Sequence, residues 1–295
     1  MKNLVDTSFS KTKRNRAKKR SVKTLLQDSN LSKEQRLYLT KCRRTSRLVV
    51  SLQWGIFLAL LLLWELGSRI GFINAFVFSS PTRIVHTIST MLKDGTLLYH
   101  VGITLFETFA SFSLVLLLGL FTAILLWWNE KLARIFDPYL VVLNSLPKSA
   151  LAPVFIVWLG NNMKTIIVAA ISVALFGTIL SLYHCFSHTE EDKIKLIQTL
   201  GGTKRDVLTK VVLPASLPTL LNIMKVNIGL SLVGVIIGEF LAARQGLGYL
   251  IIYGSQVFQL DLLIMSIIIL CIIAVGLYQI IQIFEKLTYF CILDF

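Results

Sequence analysis

Long apolar runs separated by short polar segments set the pattern of this chain. They cover 48–70, 101–128, 135–159, 165–186, 214–241 and 262–284. Each is close to the roughly 20 residues of helix that cross a bilayer's hydrocarbon core, so about six membrane-spanning helices are expected. The first run ends at Gly71, and the third is interrupted by Pro138, Pro147 and Pro153. Each proline removes a helix hydrogen bond, in a medium with no water to replace it. The stretch from Pro147 to Pro153 is therefore expected to face protein or a path rather than lipid. Between the first two runs, Ile84, Val85, Ile88, Met91 and Leu92 follow Pro81-Thr82 at spacing that fits a short amphipathic surface helix.

A polar loop, 187–213, separates the fourth and fifth runs. Thr189 followed by Glu190, Glu191 and Asp192 reads as a helix N-cap with acids in the first turn. Ile194, Ile197 and Leu200 recur at helical spacing, and Gly201-Gly202 permits the left-handed geometry that ends a helix. Thr203 to Asp206 opens a second helix with Val207, Leu208, Val211 and Val212 on it, and Pro214 suits the first turn of the next membrane helix. Two short amphipathic helices joined rigidly to the fifth span would pass a push from a cytosolic partner into the membrane. A hairpin that only lies on lipid is the other reading of the same pattern.

Composition supports the membrane class: 55% of the 295 residues are hydrophobic and only 16% charged, against roughly 25% charged in soluble domains. The net charge of +14 is concentrated in residues 1–47, which hold fifteen Lys and Arg against three acids. Such a cluster can neutralise nucleic-acid phosphates. No folded nucleic-acid motif accompanies it, so a partly disordered cytoplasmic extension is expected instead, with 48–295 as the membrane domain. With that extension inside, the inner loops carry Lys131, Arg134, Lys193, Lys195, Lys204, Arg205, Lys210 and Lys286. The outer segments carry only Arg69, Arg83, Lys93, Lys164 and Arg244. Both termini and the 187–213 loop are then expected in the cytoplasm.

Catalytic motifs are missing. There is no G-x-x-x-x-G-K-[ST] phosphate loop, and the four cysteines have no metal-ligand spacing. His184 and His188 stand four apart without a third ligand. A non-catalytic chain that needs no cofactor or metal is expected. Glu65, Glu107, Lys148, Lys225 and Glu239 fall within or beside the spans, where an ionisable residue costs about 2.5–3.5 kcal/mol to insert. Lys148 and Lys225, with Glu239, are candidates for lining an anion path. Structural ion pairs and snorkelling to the headgroups are the alternatives. Lys225 lies eleven residues beyond Pro214, about 16 Å along a helix, which puts it near the middle of the fifth span.

Several short motifs follow one another in a fixed order. Leu63-Trp64-Glu65-Leu66 comes first, then Ser80-Pro81-Thr82-Arg83-Ile84, Asp137-Pro138, Leu146-Pro147-Lys148 through Pro153, and Trp158-Leu159-Gly160. Gly201, Leu213-Pro214, Gly238-Glu239-Phe240 and Gly246-Leu247-Gly248-Tyr249 complete the series. In order and spacing the chain, from about Trp64 to the C-terminus, resembles ATP-binding-cassette (ABC) importer permeases for nitrate, sulfonates, taurine and thiamine precursors. The resemblance implies an all-α polytopic protein of the plasma (inner) membrane, like type I ABC importer permeases, that moves a small anionic solute by alternating access. It also implies a second permease copy, two cytosolic ATP-binding subunits and an extracytoplasmic solute-binding protein as partners, with no nucleic acid. The ATPase-docking residues would be Glu190, Glu191, Lys195, Leu196, Ile197, Gly201, Gly202, Leu213 and Pro214. One departure stands out: Lys195-Leu196-Ile197 occupies the place where the family usually has Glu-Ala-Ala. A secondary carrier and a membrane anchor or sensor are the competing classes. The first would need its own ion-coupling site, the second a folded output domain.

Overall fold

A computed structural model describes residues 33–72 and 74–293, which form helices and the turns between them. The chain divides into two units, residues 1–73 and 74–295. In the first, α1 (Lys33–Ile70) is one helix of 38 residues. Its Leu48–Ile70 portion is apolar enough to cross a membrane, and it stops at Gly71, where φ is 83°. Residues 33–47 of the expected basic extension are thus helical and continuous with the first span. The rest of that extension lies outside the described residues.

The second unit contains α2 (Ala75–Phe78), α3 (Pro81–Lys93), α4 (Thr96–Trp128), α5 (Glu130–Ser145), α6 (Lys148–Leu159), α7 (Met163–Ser187) and α8 (Glu191–Thr199). It continues with α9 (Lys204–Ala242), α10 (Leu247–Gln256) and α11 (Leu260–Leu293). Among the described residues five helices can span a membrane, or six if α5 and α6 together count as one bent by 95°. This matches the expected number and localises the irregularity in the third span. Leu146 precedes a proline, which disfavours the helical region; it is extended at φ −63° and ψ 142° and ends α5. The break leaves the last carbonyls of α5 without helical partners. Lys148 answers one of them, its Nζ donating to the Asn144 carbonyl.

α3 forms where amphipathic spacing predicted it. The Ser80 hydroxyl accepts from the Arg83 N–H, and Pro81 occupies the first helical position. Ile84 is buried and the Arg83 guanidinium lies 2.6 Å from Asp261 at the start of α11. α10 was not anticipated, because 242–261 was assigned only as an outer connection.

The core is built around α7, which packs along both α9 and α4. Lipid tails are as apolar as leucine, so helices in a bilayer associate by close packing and hydrogen bonds. Gly234 and Gly238, one turn apart on α9, face α7 and let the two backbones meet. A Cβ at Gly234 would lie 2.6 Å from the Cα of Ala170, and one at Gly238 3.0 Å from the Cα of Ile166. Gly119 on α4 makes the same accommodation for the Thr178 side chain. The Thr178 hydroxyl accepts from Asn227 Nδ2 at 2.8 Å, a buried link between α7 and α9.

Gly234→Val should therefore overpack the α7–α9 seam, at a cost of about 1–3 kcal/mol or more. Gly229→Val, where nothing lies within 4 Å of a new Cβ, is the control on the same helix. Size-exclusion profiles of detergent-solubilised protein after graded heating should show early loss of the folded peak for Gly234→Val only.

Candidate functional site

The 187–213 loop folds as two short helical pieces locked by caps. Thr189 remains in the closing turn of α7, donating its N–H to the Phe186 carbonyl, so α8 starts at Glu191 with Glu190 as an N-cap whose side chain makes no capping hydrogen bond. The expected cap at Thr189 is thus displaced by one residue, while Glu191 and Asp192 still occupy the first turn. α8 ends with paired bonds: Gly202 N–H donates to Ile197 O at 2.9 Å and Gly201 N–H to Gln198 O at 3.0 Å. This is the Schellman arrangement, and it needs a left-handed residue; Gly201 supplies it at φ 79°. Gly202 is held for a different reason, since a Cβ there would meet the carbonyl oxygen of Ile197 at 2.8 Å. Thr203 and Asp206 then form a reciprocal capping box that starts α9.

α9 does not begin anew at Pro214. It runs unbroken from Lys204, with one π turn over Leu208–Val212. Pro214 has no N–H and its ring crowds the carbonyl one turn back; the widened turn just before it accommodates both effects. The loop is consequently a rigid extension of the membrane helix. Val207, Leu208 and Val212 bury against Ala123 of α4 and Leu182 and Phe186 of α7, and Ile194 and Ile197 pack on the same cluster. Leu200, expected on that stripe, is instead the C-cap residue and 76% exposed; Leu196 is 59% exposed.

A cavity of about 550 Å3 opens beside this cluster, lined by Trp127, Glu130, Tyr183, Gln198 and Lys204 among others. Lys204 Nζ donates to the Trp128 carbonyl at 2.6 Å and lies 5.5 Å from the ring centres of both Trp127 and Trp128. It clamps the start of α9 onto the end of α4. Lys195 pairs with Glu191 at 2.9 Å and Lys193 with Glu190 at 3.0 Å. The hydrogen bond from Lys195 holds the Glu191 carboxyl below its ordinary range. Both pairs are open to solvent and hold little against competing partners.

The three path candidates, Lys148, Lys225 and Glu239, fall in separate places, and Glu65 of α1 pairs with Arg69 at 2.7 Å. Lys148 sits at the α5–α6 break, on the Asn144 carbonyl. Lys225 lies 2.6 Å from Glu285 of α11, both side chains less than a fifth exposed. Glu285 is near the end of the Leu260–Thr288 span, and Lys225 is near the middle of the Lys204–Ala242 helix. Glu239 is buried at the far end of α9. It accepts from Thr104 Oγ1 at 2.7 Å and from the Gly248 N–H at 2.5 Å. Thr104 Oγ1 in turn accepts from the Leu247 N–H at 2.9 Å, and His100 Nδ1 from the Gly246 N–H at 3.0 Å. These side chains of α4 and α9 satisfy the free donors of α10's first turn. The glycines of the Gly-Leu-Gly sequence are needed because a Cβ at 246 or 248 would run into the Glu239 carboxylate. Sequence reasoning missed Thr104 and His100 as partners. The signal was Glu107 with Thr104 one turn before it, on the same face of α4.

Among the described residues the protein is all-helical, with several helices able to span a membrane, one bent span and a capped polar loop, the character of a multi-pass membrane protein. Residues 115–287 match the family described as binding-protein-dependent transport system inner membrane component, and the chain belongs to that family. It is similar to the formylaminopyrimidine transport permease protein ThiX of Halalkalibacterium halodurans, 31% identical over 195 residues, 65% of this chain and 76% of that protein. The taurine transport system permease protein TauC of Escherichia coli is 23% identical over 231 residues, 76% of this chain and 84% of its own. The fold recurs in a chain of the inward-facing methionine ABC transporter MetNI. That match has a TM-score of 0.57 at 20% identity and covers 66% of this chain and 96% of that one. The protein is the permease subunit of an ABC importer, a multi-pass component of the inner membrane.

Gly202→Ala should unlock the end of α8 without disturbing the spans. Hydrogen exchange in lipid nanodiscs should show faster exchange at residues 194–203, with protection of α7 and α9 unchanged.

Proposed function

We propose that this subunit is driven by cytosolic ATPase subunits that grip the 187–213 loop, and that it works as one of two permease copies fed by an extracytoplasmic binding protein. In this reading the loop and both termini face the cytoplasm, as the Lys/Arg distribution favours. The observation that carries the proposal is the division of labour within α8 and its turn. Ile194 and Ile197 anchor the loop to the membrane helices, whereas Leu196 and Leu200 present apolar side chains outward. Exposed leucines on a rigidly capped turn suit burial in a groove of a protein partner. Movement of that partner is delivered straight into α9, because the helix is continuous through Pro214. The Lys195–Glu191 pair rationalises the departure from the family's Glu-Ala-Ala: acidic character at the docking face is kept by Glu190, Glu191 and Asp192.

For the solute we propose a small anion such as a sulfonate. TauC, whose name specifies taurine, aligns over three-quarters of this chain; ThiX, named for formylaminopyrimidine, supports the uncharged alternative. Lys225 is the cation proposed for the path, with Glu285 as its resting partner that an anionic solute would displace. Lys148 and Glu239 are proposed to shape the path through helix geometry, by holding the α5–α6 break and the α10 start.

A cysteine replacing Leu200 should resist an impermeant thiol reagent in intact cells, react after lysis in the isolated subunit, and be shielded in the assembled complex. Labelling from outside the intact cell would reverse the orientation; labelling undiminished by the ATPase subunits would remove the loop from the docking face.

In the reconstituted complex, Lys225→Met should lower sulfonate uptake at least tenfold and Lys225→Arg should retain part of it, with basal ATPase activity and assembly preserved. Equal uptake by wild type and Lys225→Met would take Lys225 out of the path. Uptake of formylaminopyrimidine but of no sulfonate would overturn the anionic assignment.

A further inference from the structure

The basic helix that leads into the first span has no part in the transport reading. α1 runs unbroken from Lys33 to Ile70, and its membrane portion starts at Leu48. Residues 33–47 hold Lys33, Arg36, Lys41, Arg43, Arg44 and Arg47 against one acid, Glu34. Orientation by Lys/Arg bias needs such charges only on one side of the membrane and is indifferent to where they stand around a helix. Here their positions are ordered. At about 100° per residue, Lys33, Arg36, Arg43, Arg44 and Arg47 fall within an arc of about 100°, while Lys41 and Glu34 lie outside it. One face of the helix is a cationic stripe that carries no acid.

Continuity with the span also sets depth. At 1.5 Å per residue, Arg47, Arg44 and Arg43 stand about 1.5, 6 and 7.5 Å before Leu48 along the axis. A headgroup layer is about 5–7.5 Å thick, half the difference between a bilayer of about 40–45 Å and its hydrocarbon core of about 30 Å. These three arginines therefore fall in that layer, whereas Arg36 and Lys33 stand about 18 and 22 Å out. Guanidinium is the cation whose planar fork matches a phosphate with two parallel hydrogen bonds. The adjoining turn is open to lipid: Leu48, Val49 and Val50 are 53%, 48% and 50% exposed, and three consecutive positions cover about 200° of a helix.

We propose that Arg43, Arg44 and Arg47 form a binding site for an anionic phospholipid, one with a net negative headgroup such as phosphatidylglycerol. A zwitterionic headgroup brings its own cation, which three arginines on one face repel; an anionic headgroup brings none. The bound lipid pins the N-terminal end of the span at headgroup depth and opposes sliding along the membrane normal. The site belongs to whichever leaflet holds that end of α1, so it stands apart from the orientation proposed above, under which the leaflet is the cytoplasmic one.

Photoreactive phosphatidylglycerol and phosphatidylcholine, compared in symmetric nanodiscs holding the full-length complex, test the site. Crosslinks to residues 40–54, counted by mass spectrometry, should favour phosphatidylglycerol about tenfold or more in wild type. Replacing the three together, Arg43→Gln, Arg44→Gln and Arg47→Gln, should abolish the preference. The control removes as many charges outside the headgroup layer, with Lys33→Gln, Arg36→Gln and Lys41→Gln, and should keep most of it. Equal crosslinking of the two lipids in wild type would overturn the proposal, as would equal loss in both triple variants, which marks diffuse attraction rather than a site. A preference erased by inorganic phosphate at constant ionic strength would assign the face to a soluble anion and overturn the lipid site. Should the arginine triple variant fail to assemble, Arg44→Gln alone decides: a reduced preference supports the site and an unchanged one overturns it.

Discussion

Close approach of α9 to α7 is the contact on which the rest of the second unit depends. In a bilayer the burial of leucines against one another gains little over burial against lipid, so helices must find shape or hydrogen bonds to associate. Gly234 and Gly238 provide shape, bringing the α9 backbone against Ala170 and Ile166. Asn227 and Thr178 provide the hydrogen bond further along the same seam, and Gly119 lets α4 close on the Thr178 side chain. With the three helices set at this spacing, the two ends of α9 are placed where their polar partners lie: Lys204 on the end of α4, and Glu239 beside Thr104.

A second constraint is that backbone groups freed by a break must be answered from within the protein. Four irregularities among the described residues have answers of this kind. The α5 end at Leu146-Pro147 is met by Lys148, and the end of α8 by the paired bonds of Gly201 and Gly202. The start of α10 is met by side chains of two other helices, and Pro214 by a single π turn. The motifs that look like scattered signatures in the sequence are largely these answers.

α9 also joins the two polar regions physically. Its 39 residues span about 58 Å at 1.5 Å per residue, and about 54 Å separates the capping box at Thr203 from the buried carboxyl at Glu239. A displacement of the proposed docking loop therefore acts on the α10 seat through one continuous helix, with the Lys225–Glu285 pair between them. This geometry gives a concrete route by which cytosolic ATP hydrolysis, in the proposed reading, reaches the opposite side of the membrane.

Much of the molecule was legible from residue order. Length and continuity of the apolar runs determined the number of spans, because hydrocarbon thickness sets helix length independently of packing. Glycine and proline determined the break at Pro147 and the turn at Gly201, because their backbone preferences are local. The capping box at Thr203 was likewise written in four consecutive residues. Partnerships between distant residues were not legible. Lys225 could be seen to need a neutralising group, but Glu285 became that group only when α9 and α11 packed together. Glu239 was visible as a charge in a span, yet its role as the cap of α10 needed Thr104 from 135 residues away. The exposure of Leu200 turned on how the helix end folds back, which periodicity alone cannot convey. Local steric and thickness constraints act along the chain and can be read there; charge pairing and capping act across it, and only the packed helices decide them.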